Sequence, residues 1–276
     1  MKEENLNKDI RIKTPPSGAG GINIVKIGGN VIENEQELDA FLTLFAQLPE
    51  PKILVHGGGK LASEMAKKLD IPIKMTQGRR ITDVETLDVI TMVYGGKVNK
   101  NIVAKLQAKK CNAIGLSGAD GNTILSVKRP VKDVDFGFVG DVVAVNTEVI
   151  TSLLSAGLTP VFCAITHDKN GQLLNTNADT IACEIARSLT ENHEVTLFYC
   201  FEKAGVLKNV SDENSVIKEI NLEEYRKLVE NGTVSEGMLP KLQNCFYALE
   251  GGVHRVQLGK PAMLNPNETE FTSLSL

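Results

Sequence analysis

The chain contains no tryptophan and only nine phenylalanines and four tyrosines, so it offers few platforms for stacking bases. It also has no block of lysine or arginine, and its net charge is −4. Together these absences argue against a nucleic-acid surface and favour small-molecule chemistry. No apolar run approaches the ~18 residues of a membrane-spanning helix, and the charged, polar start lacks the apolar stretch of a secretory signal. A cytoplasmic protein without membrane contact is expected. The five cysteines, Cys111, Cys163, Cys183, Cys200 and Cys245, are odd in number and form no Cys-x-x-Cys pair. Buried, reduced thiols are expected, not a disulfide framework. The four histidines show no ligand spacing, so no metal held by protein ligands is expected.

Two common nucleotide loops are absent as well. The stretch KILVHGGGKLASEMAKKL, Lys52 to Leu69, is not a Walker A loop, because Leu54 stands where that loop needs its first glycine and Leu61 where it needs Ser or Thr. No Gly-x-Gly-x-x-Gly fingerprint occurs either, since Gly18 and Gly20 are followed by Asn23. What the stretch does hold is a buried strand, a glycine turn and a helix whose Leu61, Met65 and Leu69 recur every fourth residue. The amides of Gly57, Gly58 and Gly59 then sit at a helix N-terminus, where an anion can approach with no side chain in the way.

At 276 residues and 42% hydrophobic content the chain can bury a good-sized core. Residues 1–21 are polar and end in Thr-Pro-Pro-Ser-Gly-Ala-Gly-Gly, which reads as a flexible leader. Strands are predicted at 22–27, 53–55, 113–116, 123–127, 159–164, 194–199 and 255–258. Helices are predicted at 35–48, 60–69, 84–107, 147–155, 179–189, 222–231 and 240–250. Strands alternating with long helices imply an α/β fold with a mostly parallel sheet covered on both faces. Ligands of such sheets bind beyond the carboxyl ends of the strands.

Several turns carry residues suited to anions. Lys26 lies inside an apolar strand, where an ammonium is costly unless an anion meets it, and Gly28 and Gly29 follow at once. If this turn and Gly57–Gly59 face one crevice, their amides form two walls of a cradle for a charged group. Arg80 follows Gly78 and precedes Thr82 and Asp83, so it suits either a bidentate carboxylate clamp or a solvated surface. Asn175, Asn177 and Asp179 open a helix; one cap needs one residue, which leaves Asp179 free to pair with lysines. Lys241 follows Pro240 in a first helical turn, a poor place for a cation unless an anionic ligand is near. His56, at a strand end, suits a hydrogen-bonded structural role or a substrate contact.

Lys26-x-Gly28-Gly29, His56-Gly57-Gly58-Gly59, Gly78-x-Arg80-x-Thr82, Gly115-Leu-Ser-Gly-Ala-Asp-Gly-Asn122, Gly140-Asp-Val142 with Asn146, Asn175-x-Asn177-Ala-Asp179 and Gly237-Met-x-x-Lys241 follow one another in an order that resembles the amino-acid kinase family. The likeness covers about residues 22–260. It implies a three-layer αβα sandwich around a mostly parallel sheet. Residues 22–276 would be one domain, with about 22–174 binding the acyl glutamate and forming a dimer, and about 175–276 binding the nucleotide. It also implies ATP-dependent phosphorylation of the side-chain carboxylate of N-acetyl-L-glutamate, with Mg²⁺ bridging the phosphates, in arginine biosynthesis.

By the same likeness Lys26 and Lys241 neutralise the migrating phosphoryl group and Asp179 holds both. Gly57, Gly58, Gly59, Arg80, Asn175 and Asn177 bind substrate; Gly28, Gly29, Glu202, Gly205, Gly237 and Met238 border the nucleotide. Glu202 replaces an aspartate usual in the family, in Tyr199-Cys-Phe-Glu202-Lys203-Ala-Gly205-Val206. The tail lacks the Gly-x-Gly-Thr ending of arginine-inhibited members, so arginine feedback is not expected, and a homodimer is expected in place of a hexamer. Another acyl group such as succinyl, and a non-catalytic amino-acid sensor of the same fold, are the alternatives.

Overall fold

The computed structural model describes residues 21–276 apart from 77, 210 and 235–237. The expected leader, but for Gly21, lies outside the described residues, and so does Gly237. The strands are β1 (Ile22–Ile27), β2 (Lys52–His56), β3 (Lys74–Thr76), β4 (Arg79–Ile81), β5 (Ala113–Leu116), β6 (Ile124–Lys128), β7 (Gly140–Val145), β8 (Thr159–Cys163), β9 (Ile165–His167), β10 (Leu173–Asn175), β11 (Val195–Cys200), β12 (Glu219–Ile220), β13 (Arg255–Gly259) and β14 (Thr272–Leu274). The α-helices are α1 (Gly29–Glu33), α2 (Glu35–Gln47), α3 (Gly59–Lys68), α4 (Val84–Ile90), α5 (Asn99–Ala108), α6 (Thr147–Ser155), α7 (Ala178–Leu189), α8 (Leu222–Glu230) and α9 (Leu239–Glu250).

Asx residues start five of the helices. Asn34, Asp83, Asn146, Asn177 and Asn221 cap α2, α4, α6, α7 and α8, each side chain accepting from first-turn amides. Every residue of β2 and β8 is buried, as strands covered on both faces require. They belong to an 8-stranded sheet in the order β12-β14-β13-β11-β1-β2-β8-β5. From β13 to β5 all neighbours are parallel, while β14 runs antiparallel to β13 at one side. Helices pack around the sheet, α7 against β1, β2, β11 and α9, and α2 against α5. The five cysteines are buried and free. No helix among the described residues is long and apolar enough to cross a membrane.

Several features depart from the sequence reading, the short α1, β12 and β14 among them. The helix expected over 84–107 is three pieces, with π-helical turns over Thr91–Val98 between α4 and α5. The chain also forms a β3–β4 hairpin and a 4-stranded sheet, β10-β9-β6-β7, of which only β6 was expected. Strands β3, β4, β9 and β10 are 3 residues each, too short for an alternating pattern to register. These small units wall the carboxyl ends of β1 and β2. The hairpin brings Arg80, β10 ends at Asn175, and Asn175 bridges Val139 just before β7.

Candidate active site

Lys26 stands on β1 between Val55 of β2 and Tyr199 of β11, one residue from the strand's end. Burial there leaves its side chain 12% exposed, and its Nζ meets Asp179 Oδ1 at 2.7 Å. Asp179 is in the first turn of α7, which Asn177 caps by accepting from the amides of Asp179 and Thr180. The Tyr199 hydroxyl donates to the Asp179 carbonyl at 3.0 Å and ties that turn to β11. Lys241, from the first turn of α9, approaches the other carboxylate oxygen at 3.5 Å. Burial alone would push the Asp179 carboxyl up; the Lys26 and Lys241 ammonium groups outweigh it and hold its pKa below the ordinary value. One ionised carboxylate thus gathers cations from β1 and α9.

Beside this bridge the β2 turn enters α3. The first bond of that helix runs from the Ala62 amide to the Gly58 carbonyl, so the preceding amides lie ahead of the helical ladder. Gly58 has φ +155°, and a methyl placed on it would lie 3.0 Å from Tyr94 Cδ1. Only glycine fits between that ring and the turn. His56, fully buried, holds the turn from behind. Its Nδ1–H donates to the Gly57 carbonyl at 2.8 Å, and its Nε2 accepts from Asn99 at 3.0 Å. Burial, with Lys100 adding and the Gly57 carbonyl opposing, lowers its pKa from 6.5 to about 4, so the ring is neutral. Of its two sequence-level roles, the structure displays the structural one.

Arg80 points inward. Its Nη2 donates to the Gly59 carbonyl and to Ser63 Oγ, both at 2.8 Å, while Nη1 is buried with no partner among the described residues. An unpaired buried guanidinium nitrogen suits an incoming carboxylate. Asn175 donates to Thr82 Oγ1 at 2.9 Å across the cleft wall.

Lys26, Gly29, Gly57, Gly58, Gly59, Arg80, Asn175, Asn177, Asp179 and Lys241 all line one cleft of about 800 Å³. Glu202, Gly205 and Met238 line a second pocket of about 240 Å³, which Lys241 also borders. Lys241 therefore joins the two spaces. Gly28 departs from the expectation, since its amide donates to the Cys200 carbonyl at 3.0 Å and is not free for a ligand. The bond prolongs the β1–β11 ladder by one residue, and Gly29 alone of the pair lines the cleft. Gly205 is also demanded by packing, as a methyl there would lie 2.5 Å from Thr272 Oγ1.

Tyr94, Tyr199, Ser63 and Thr82 escaped the sequence reading as contributors to the site. A tyrosine in an apolar run is indistinguishable from core until the fold shows where its hydroxyl ends.

The chain belongs to the amino acid kinase family, whose profile matches residues 21–260. Within that family it stands with the acetylglutamate kinases. It is 52% identical to that of Cytophaga hutchinsonii over 91% of this chain and 97% of the relative. With that of Phocaeicola vulgatus the identity is 53% over 88% of this chain and 95% of the relative. Among solved structures, N-acetylglutamate synthase from Neisseria gonorrhoeae, complexed with coenzyme A and N-acetyl-glutamate, matches with a TM-score of 0.78 at 21% identity, over 94% of this chain and 60% of that one. Carbamate kinase from Giardia lamblia bound to AMP-PNP matches with a TM-score of 0.68 at 13% identity, over 93% and 99%. These two likenesses are of fold.

Proposed function

We propose that the protein phosphorylates the side-chain carboxylate of N-acetyl-L-glutamate with ATP, forming the acyl phosphate of arginine biosynthesis. Lys26, Asp179 and Lys241 carry this reading, because they set two bridged cations in the large cleft, one of which, Lys241, also borders the smaller pocket. The relatives of that activity, 52% and 53% identical, support the substrate.

A glutamate side chain, with an ordinary pKa of about 4.3, is ionised at neutral pH and needs no base. One of its oxygens attacks the γ-phosphorus, the bond to the β–γ bridging oxygen breaks, and ADP leaves with the electron pair. Lys26 and Lys241 neutralise charge on the migrating group, so catalysis is positioning and electrostatics. Asp179 positions both lysines. Arg80, Asn175, Asn177 and the Gly57–Gly59 turn hold the acyl glutamate. Gly29, Glu202, Gly205 and Met238 border the nucleotide, with Gly237 beyond the described residues.

Mg²⁺ would accompany ATP. Asp179, the one carboxylate lining the cleft among the described residues, is already shared by two lysines, and no group of three or more His, Cys, Asp or Glu gathers there. The cationic donor set fits the phosphates, and Mg²⁺ bound with the nucleotide would supply charge that offsets them. Residues from about 22 to 174 form the lobe for the acyl glutamate and the dimer, and about 175–276 the lobe for the nucleotide, with Gly29, Asn175 and Asn177 facing across between them, in one domain that works as a cytoplasmic homodimer. A hexamer in a sizing experiment would overturn the dimer.

The test uses ATP, Mg²⁺ and hydroxylamine, which traps an acyl phosphate as a coloured hydroxamate. Colour is expected with N-acetyl-L-glutamate and not with free glutamate. Colour only with N-succinyl-L-glutamate would move the acyl assignment, and none with any would leave a sensor of the same fold.

A further inference from the structure

The π-helical turns over Thr91–Val98 fall where the chain passes the glycine turn of β2, and such turns are frequent at functional sites. They place Tyr94, 6% exposed, with its ring against Gly58. The side chain lines the large cleft, and its hydroxyl, which is not among the fully buried unpaired atoms, makes no hydrogen bond among the described residues. A tyrosine hydroxyl on a cleft wall with no protein partner is free to donate to a ligand.

A second unpaired donor stands close by. A methyl placed on Gly59 would lie 3.8 Å from the Tyr94 hydroxyl oxygen and 3.9 Å from Arg80 Nη2, so both side chains flank one point of the turn. Arg80 Nη1 is the buried nitrogen without a partner. A phenol and a guanidinium, each with hydrogen to donate, face a space that no free carboxylate among the described residues fills.

We infer that Tyr94 is a substrate-binding residue, its hydroxyl donating a hydrogen bond to the carboxylate of the acyl glutamate that docks between Arg80 and the Gly58–Gly59 turn. This rests on the acyl-glutamate reading given above. Burial raises the Tyr94 pKa against the opposing pull of Arg80, so the phenol keeps its proton. A neutral donor orients a carboxylate without adding a full positive charge beside it.

The Tyr94→Phe variant keeps the ring on Gly58 and removes only the hydroxyl. Its KM for N-acetyl-L-glutamate, and its Kd by calorimetry without ATP, are expected to rise about tenfold or more, as loss of a hydrogen bond to a charged group does, with the KM for ATP unmoved. A unchanged Kd with N-acetyl-L-glutamate would reduce Tyr94 to packing and overturn the inference. A wild-type protein that binds no N-acetyl-L-glutamate would fell the functional reading first and this one with it. The wild-type chain gives a readout free of mutation, since with no tryptophan its near-ultraviolet absorption comes chiefly from four tyrosines. Binding should produce a tyrosine difference band that Tyr94→Phe lacks. Binding without such a band would also overturn the inference, even if the variant failed to fold.

Discussion

Lys52 opens β2 at one end of the central sheet, and Lys26 lies near the end of β1 at the other. Both are lysines in buried strands, yet their surroundings differ. Lys52 is 2% exposed, and its Nζ donates to the carbonyls of Ala46 and Leu48 at 2.9 and 2.7 Å and meets Glu50 at 3.2 Å. Those carbonyls belong to the end of α2, where a cation complements the helix dipole. The chain itself consumes this ammonium. Lys26 has the Asp179 carboxylate, which it shares with Lys241, and it faces a cleft. Burial of a lysine is therefore not by itself a functional sign; the end of the sheet and the donors left over decide.

Breaking each lysine in turn tests that contrast most strongly. Lys26→Met should lower kcat about 10²- to 10³-fold, the usual loss for one preorganised electrostatic donor, read on protein shown to be folded. Lys52→Met should do the reverse, costing about 2 kcal/mol of stability while the folded enzyme keeps its kcat. Equal activity losses from both would erase the distinction. Asp179→Asn, which keeps the shape and removes the charge that binds two cations, should lower kcat about tenfold to a hundredfold, read in single-turnover assays.

A buried histidine, neutral where the two lysines are charged, sharpens the comparison through pH. The folded protein protonates His56 only near pH 4, whereas the unfolded chain does so near 6.5. Its contribution is complete above pH 6.5 and is lost as pH falls toward 4, about 3 kcal/mol in all. Urea midpoints measured across that window should fall in the wild type and fall less in His56→Gln; parallel curves would show that His56 titrates normally. The smallest effect is expected from Ser63→Ala. It removes one of the two partners that aim Arg80, and should raise the KM for the acyl glutamate about threefold with kcat kept.

Much of the fold was legible because long periodic segments announce themselves. β1 and α6 fall on their predicted residues, and the glycine turn of β2 enters α3 where the Leu61, Met65, Leu69 spacing placed a helix. The Asn177 cap left Asp179 inside α7 and free to pair, as residue chemistry had suggested. The hairpin and most of the small sheet were not legible: β3, β4, β9 and β10 are 3 residues each, too short for a pattern to register, and the 6 residues of β7 escaped as well. Gly28 shows a second limit within a site. A glycine after a strand reads as a free donor, but its amide was taken by Cys200, distant in sequence and adjacent in space.

What the sequence determined by itself is the alternation of strand and helix, the glycine turns at strand ends, and the charges of Lys26, Asp179 and Lys241. These are local facts, set by side-chain periodicity, backbone freedom and ionisation. The tertiary structure alone decided which lysine the chain consumes and which it leaves for a ligand, and where the hydroxyl of Tyr94 points. Those outcomes depend on partners brought together from remote segments, and only the packed sheet sets which of them are within hydrogen-bonding reach.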